Sequence, residues 1–278
     1  MTTTTVPIPR AHKVFYAVIL IAAVVIAAGG ILVPSVLAEQ VSWLVLPPLH
    51  ARFLGAIYLF GTVYTVGCLL ARSQHEVRYA LPLIAIFTGL LFVVSVLNLG
   101  AFDAGRLPVL IWLTAYAIFP VVALGLFARV ARPWPADPAS PDLPPWARAF
   151  LLIQGAVVSV PAVALFVLPQ TMTTVWPWPV TAVLAQAYSG PLLSYGLASL
   201  LASQFRTWRE VRVLVPAMLA FTAVTVVASV VHSGVFGAFD PVDVAWFGCF
   251  AAATGVLGAM TVQLARGLSR RTAEPAGR

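Results

Sequence analysis

Charge is what this sequence has least of. Asp, Glu, Lys and Arg together make up 9% of its 278 residues, where a water-exposed domain of that length carries about 25%. Hydrophobic residues account for 61% and the mean hydropathy is +0.97, which leaves too little polar surface to cover a globule in water. This excludes a soluble enzyme, a nucleic-acid-binding domain and a disordered chain. Cysteine is nearly missing as well. Cys68 and Cys249 are the two thiols, expected at different membrane depths, so they form no disulfide framework and read as packing residues. Glycine-rich phosphate loops, a Walker motif, His-Glu-x-x-His, Gly-x-Ser-x-Gly and Asp-rich diphosphate motifs are all absent, which leaves no signature of catalysis or of a bound cofactor.

What the chain has instead is long apolar runs. Crossing ~30 Å of hydrocarbon takes about 20 mostly apolar residues. Eight segments qualify, near 14–33, 53–71, 79–99, 108–130, 149–168, 180–203, 213–236 and 244–266. The fold class expected is an all-α integral membrane protein with eight transmembrane helices. With the N-terminus inside, fourteen of the sixteen basic residues fall on the cytoplasmic side and only Arg52 and Arg106 outside, which gives cytoplasmic N- and C-termini by the positive-inside rule. The net charge of +7 is then a topology signal that also attracts anionic lipid, and no nucleic-acid partner is expected. Tryptophan sorts to the same two levels, with Trp43, Trp112, Trp176, Trp178 and Trp246 outer and Trp134, Trp146 and Trp208 inner, as an amphipathic ring requires. The rival reading of the first run as a cleaved signal ending near Ala38 conflicts with its length.

The chain also matches itself at an offset of 134. Glu76-Val77-Arg78 corresponds to Glu210-Val211-Arg212, Phe87-Thr88 to Phe221-Thr222, Ser95 to Ser229, Trp112 to Trp246 and Arg132 to Arg266. Gly100-Ala101-Phe102-Asp103 returns as Gly237-Ala238-Phe239-Asp240 after a three-residue insertion. A run of this length predicts a tandem duplication of a four-helix unit. An even number of spans makes the repeats parallel, related by a pseudo-two-fold axis along the membrane normal. The domains expected are a first repeat over 1–132, a Pro-rich cytoplasmic linker over 133–146, a second repeat over 147–268 and a basic tail over 269–278.

Ionisable residues inside a bilayer are costly and usually functional. Here they gather at the outer face, as Glu39, His50, Arg52, Asp103, Arg106, His232, Asp240 and Asp243, with none at the midplane. Arg52 corresponds to Gln186 and is expected either to hold an anionic ligand through its planar fork or to pair with Asp103 or Glu39. Asp103 and Asp240 read first as caps of the helices that follow them. As catalytic candidates, Asp103, Asp240 and Glu39 would need apolar burial, with His232 assisting. His232 corresponds to Asn98, a polar position in both halves, and reads as an interhelical hydrogen-bonding residue. Haem ligation by His50 and His232 is the weaker alternative, because no Cys-x-x-Cys-His motif is present. His12 and His75 are expected to be solvated. The Pro-stiffened loops carrying Trp43 and Trp176-Pro177-Trp178-Pro179 are expected at the outer headgroup layer, over helix ends or over a cavity.

The leading expectation is therefore a plasma-membrane protein that binds or transports a lipophilic or small amphiphilic ligand at an outer-leaflet cavity between the repeats. The ligand-binding residues expected are Arg52, His50, Asn98, His232, Trp43, Trp176 and Trp178. An enzyme acting on a lipid or terpenoid through the outer carboxylates and an accessory subunit of a membrane complex are the alternatives. No metal or other cofactor is expected.

Overall fold

The computed structural model describes residues 6–40, 47–103, 105–130, 140–237 and 240–272, and among them it has no named strand. The helices are α1 (Arg10–Leu32), α2 (Pro34–Gln40), α3 (Pro48–Leu70), α4 (Ala80–Leu97), α5 (Leu107–Ala128), α6 (Pro145–Val167), α7 (Pro169–Val175), α8 (Ala182–Ala202), α9 (Trp208–Val211), α10 (Leu214–Val231) and α11 (Pro241–Thr272). Proline sits in the first turn of α3, α5, α6 and α7, where its missing N–H would have no intrahelical partner anyway. Pro120, Pro161 and Pro191 lie within the continuous helices α5, α6 and α8.

Seven helical segments are long and apolar enough to cross a bilayer, so the chain reads as a multi-pass membrane protein. The eight-span expectation also counts α8, whose 21 residues have the length but not the hydropathy. The reason is its burial. Fourteen residues of α8 are buried, and its serines bond to neighbouring helices: Ser194 donates to the Leu83 carbonyl at 2.9 Å and Ser199 to that of Leu151 at 2.8 Å. Polar side chains on a helix enclosed by others bond to those neighbours and do not meet lipid.

Close packing runs α1 on α3, α6 on α8, α4 on α5 and α10 on α11, with α3 against α10 and α8 against α4. The first pair of long helices in each half of the chain thus packs on the second pair of the other half. Glycine permits the tightest crossings. A Cβ on Gly30 would lie 2.4 Å from the Ala51 carbonyl oxygen, and one on Gly55 2.9 Å from the Ile31 nitrogen. At the α6–α8 crossing, a Cβ on Gly196 would meet the Ser159 nitrogen at 2.9 Å. Small residues at crossings let backbones approach, which is how helices gain dispersion contacts where lipid removes the hydrophobic drive. Of the three glycines spaced along α3, Gly55 and Gly67 are in close contacts, and Gly61 has room for a Cβ.

Aromatic rings fill the centre, where α3 faces α8. Phe53 and Tyr188 are 5.0 Å apart edge to face, and Phe60 and Tyr195 are 5.4 Å apart. Pairs like these contribute about 0.5–1.5 kcal/mol each beyond burial.

At the end carrying the α3–α4 and α8–α10 connections, two carboxylates are buried in an ionic layer. Glu76 has no side-chain exposure and stands 2.8 Å from Arg212 and 3.5 Å from Arg209. Glu210 stands 3.0 Å from Arg78 and 3.2 Å from His75. The backbone N–H of Arg72 and the Ser73 hydroxyl donate to Glu76, as those of Arg206 and Thr207 do to Glu210. Every one of these contacts has its counterpart 134 residues away. Burial alone would raise the Glu210 pKa; the neighbouring His75 and the N–H and O–H groups donated to it outweigh this and hold it down at about 2. His75 is therefore paired rather than solvated, and His12 is likewise buried in α1 against Tyr16, at 5% exposure. Both depart from the expectation because the helix ends they occupy are covered by neighbouring elements.

Candidate ligand cavity

The outer-face residues named from the sequence fall into two groups. His50, in the first turn of α3, is buried and fully engaged. Its Nε2 is 2.8 Å from the Pro179 carbonyl, and its Nδ1 is 2.9 Å from the Tyr188 hydroxyl and 3.2 Å from the Trp178 indole nitrogen. Nε2–H therefore donates and Nδ1 accepts, the tautomer that satisfies all three contacts. His50 ties the 176–179 loop to α3 and α8. With both ring nitrogens taken, a bis-histidine haem site through His50 and His232 does not fit.

Arg52 faces His232, not Asp103 or Glu39: the guanidinium and the imidazole Nε2 are in direct hydrogen-bond contact. Asn98 donates to Gln186 at 2.9 Å. These are one contact made twice, since Arg52 and Gln186, and Asn98 and His232, are 134 residues apart. Each joins the start of α3 or α8 to the end of α10 or α4.

Of the acids assigned to the outer face from the sequence, Glu39, Asp103 and Asp240 are exposed and local in their bonding, and Asp243 is buried. Asp240 accepts from the N–H groups of Val242 and Asp243, at 2.8 and 3.0 Å, and so caps α11. Asp103 accepts from Gly105 at 3.0 Å in the turn before α5. It shapes that turn, and the residue that opens α5 is Arg106. Glu39 is exposed on α2 and contributes its backbone carbonyl to Arg106, at 3.1 Å. Asp243, in the first turn of α11, is only 2% exposed, where a negative charge complements the helix dipole.

A cavity of about 450 Å³ lies where the α6–α8 pair meets the α10–α11 pair. Phe150, Ile153, Gln154, Val157 and Pro161 of α6 form one wall; Trp246, Cys249, Phe250 and Ala253 of α11 form the other. Leu192 and Tyr195 of α8 and Phe221 of α10 form the floor, and Met172, Trp176 and Pro177 close one end. Only Phe53 comes from the first half of the chain. The volume lies within the usual range for small-molecule sites. The lining is almost wholly apolar and aromatic, and α6 and α11 do not pack closely on each other. Of the wall residues, Ile153 and Val157 are also exposed at the protein surface.

Of the residues expected to bind ligand, Trp176 lines this cavity and Trp178 supports it, packed edge-on to Trp246 at 4.7 Å. Arg52, His50, Asn98 and His232 are not in its wall, and Trp43 lies outside the described residues. The sequence reading missed Gln154, Tyr195, Phe250 and Cys249. Cys249 is an exposed wall residue instead of a packing one, while Cys68 is fully buried as expected. Gln154 donates to the Tyr195 hydroxyl at 2.8 Å, and a Gln within an otherwise apolar span was the available signal. Among the described residues no cluster of His, Cys, Asp or Glu has the make-up of a metal site. Comparison with known protein families, with curated proteins and with solved structures finds no match to this chain.

Proposed function

We propose that this protein binds, and moves or presents, a lipophilic ligand taken laterally from the bilayer into the α6–α11 cavity. The observation that carries this reading is a cavity of about 450 Å³ walled by aromatic and aliphatic side chains and flanked by two poorly packed helices. Such a wall offers a chain arriving from the bilayer dispersion contacts, and offers little to a charged solute. An amphiphile would leave its polar head at the Trp176–Pro177 end. No carboxylate lines the wall, and buried Asp243 is not part of it, so the cavity does not favour the proton-transfer reading.

The surrounding architecture in this reading is eight spans, α8 included, built as a duplicated four-helix unit in the plasma membrane with both termini cytoplasmic. The reciprocal Glu76–Arg212 and Glu210–Arg78 pairs support the duplication, since a contact made twice with exchanged partners is the signature of a two-fold relation. The arginines of that layer support the inward orientation.

Cys249 supplies the test, since it lines the cavity while Cys68 is buried. Alkylation of Cys249 by N-ethylmaleimide is expected to be at least several-fold slower in protein carrying co-extracted lipid than in lipid-stripped protein. Equal rates would overturn the proposal.

A further inference from the structure

A much smaller void, lined mostly by the first half of the chain and by Ser194 of α8, lies at the corresponding place. This void, of about 70 Å³, lies where the α1–α3 pair meets the α4–α5 pair, and its wall includes Ile19, Tyr58, Phe87, Thr88, Tyr116 and Phe119. Adding 134 to each gives Ile153, Leu192, Phe221, Thr222, Phe250 and Ala253, all in the wall of the large cavity.

The difference in volume has an identifiable origin. Phe119 projects into the first void and is backed by Phe15, the ring centroids 6.2 Å apart; their counterparts are Ala253 and Ala149. The hydroxyls of Tyr58 and Tyr116 are hydrogen-bonded across the first void, joining α3 to α5. Leu192 and Phe250 have no hydroxyl with which to make that tie. In keeping with this, α1 packs on α5 more closely than α6 does on α11. An exchange in the opposite sense, Gly61 for Tyr195, leaves the second cavity open because Gln154 holds the Tyr195 hydroxyl at 2.8 Å.

We infer that the chain carries two copies of one hydrocarbon-chain site, that Phe15, Phe119 and the Tyr58–Tyr116 pair plug the first, and that the 15/149 and 119/253 positions set which copy admits a bilayer lipid chain. This rests on the binding reading above. A phosphatidylcholine with a diazirine on its acyl chain, in nanodiscs, is the probe, and crosslinks are read at interior residues that bulk lipid does not reach: Phe221, 2% exposed, and Tyr58, 5% exposed. Wild-type protein is expected to label at Phe221 and not at Tyr58. Phe15→Ala with Phe119→Ala should add labelling at Tyr58, while Ala149→Phe with Ala253→Phe should reduce labelling at Phe221 at least tenfold. A wild type unlabelled at Phe221 overturns the binding reading itself. A labelled wild type whose opening variant stays unlabelled at Tyr58, or whose filling variant still labels at Phe221, overturns the plug. The two variants are independent, and circular dichroism identifies either one that fails to fold.

Discussion

Glu76 and Arg212 stand 2.8 Å apart in the buried ionic layer, and Glu210 and Arg78, each 134 residues out of phase with them, stand 3.0 Å apart. Each half of the chain thus supplies the carboxylate of one pair and the guanidinium of the other. The pairs lock the two halves together at a helix end, where a buried carboxylate deprived of its partner is costly.

Removing both partners should therefore cost less than the two single removals added together. Glu76→Gln is expected to lose about 1–3 kcal/mol, because the guanidinium groups it leaves without their carboxylate, those of Arg212 and Arg209, are only partly buried. Glu76→Gln with Arg212→Gln should lose less than the sum of the single losses. Thermal unfolding of the detergent-solubilised single and double variants gives the coupling energy, and a coupling of zero would rule out the pair as a structural tie.

The same layer sets an acid sensitivity. The Glu210 pKa is held at about 2, below its ordinary 4.5, so its charge stabilises the fold above about pH 4.5, and that contribution is lost as pH falls toward 2. The melting temperature should drop across this window in the wild type and drop less in Glu210→Gln.

Helix crossings should be sensitive to single methyl groups. Gly30→Ala would push a Cβ into the backbone of α3, where neither helix can yield locally, and a loss of about 1–3 kcal/mol is expected from overpacking. Gly125→Ala meets nothing within 4 Å and should leave the melting temperature unchanged or slightly raised. Similar destabilisation by both would sink the close-approach account.

The Arg52–His232 contact should be replaceable by its own counterpart. Arg52→Gln with His232→Asn recreates the residues of the Asn98–Gln186 pair, and the double variant should keep the wild-type melting temperature within a few degrees. Protection of Cys249 by co-extracted lipid should also survive, since neither residue lines the cavity. Loss of protection with the fold intact would make Arg52 or His232 part of the ligand site.

Much of this was legible from pattern alone. The long helices follow from apolar runs, and contacts such as Trp112–Ser95 and Trp246–Ser229, at 2.9 and 3.0 Å, fall on residues that match at the repeat offset. Polarity at positions 52, 98, 186 and 232 marked an interhelical contact, but its partners were not legible, because pairing depends on which helix ends meet. The ionic layer was visible only as the recurring Glu-Val-Arg. Nothing in that tripeptide says that its carboxylate reaches the arginine of its second occurrence.

The sequence by itself determined an all-helical chain built to lie in lipid, because scarce charge and runs of about 20 apolar residues allow no other solvent. Only the tertiary structure decided that α8 is enclosed rather than lipid-facing, that the halves interlock, and where the open space lies. Those outcomes depend on side-chain volumes meeting across distant helices: the ring of Phe119 closes one seam, and the methyl of Ala253 leaves its counterpart open.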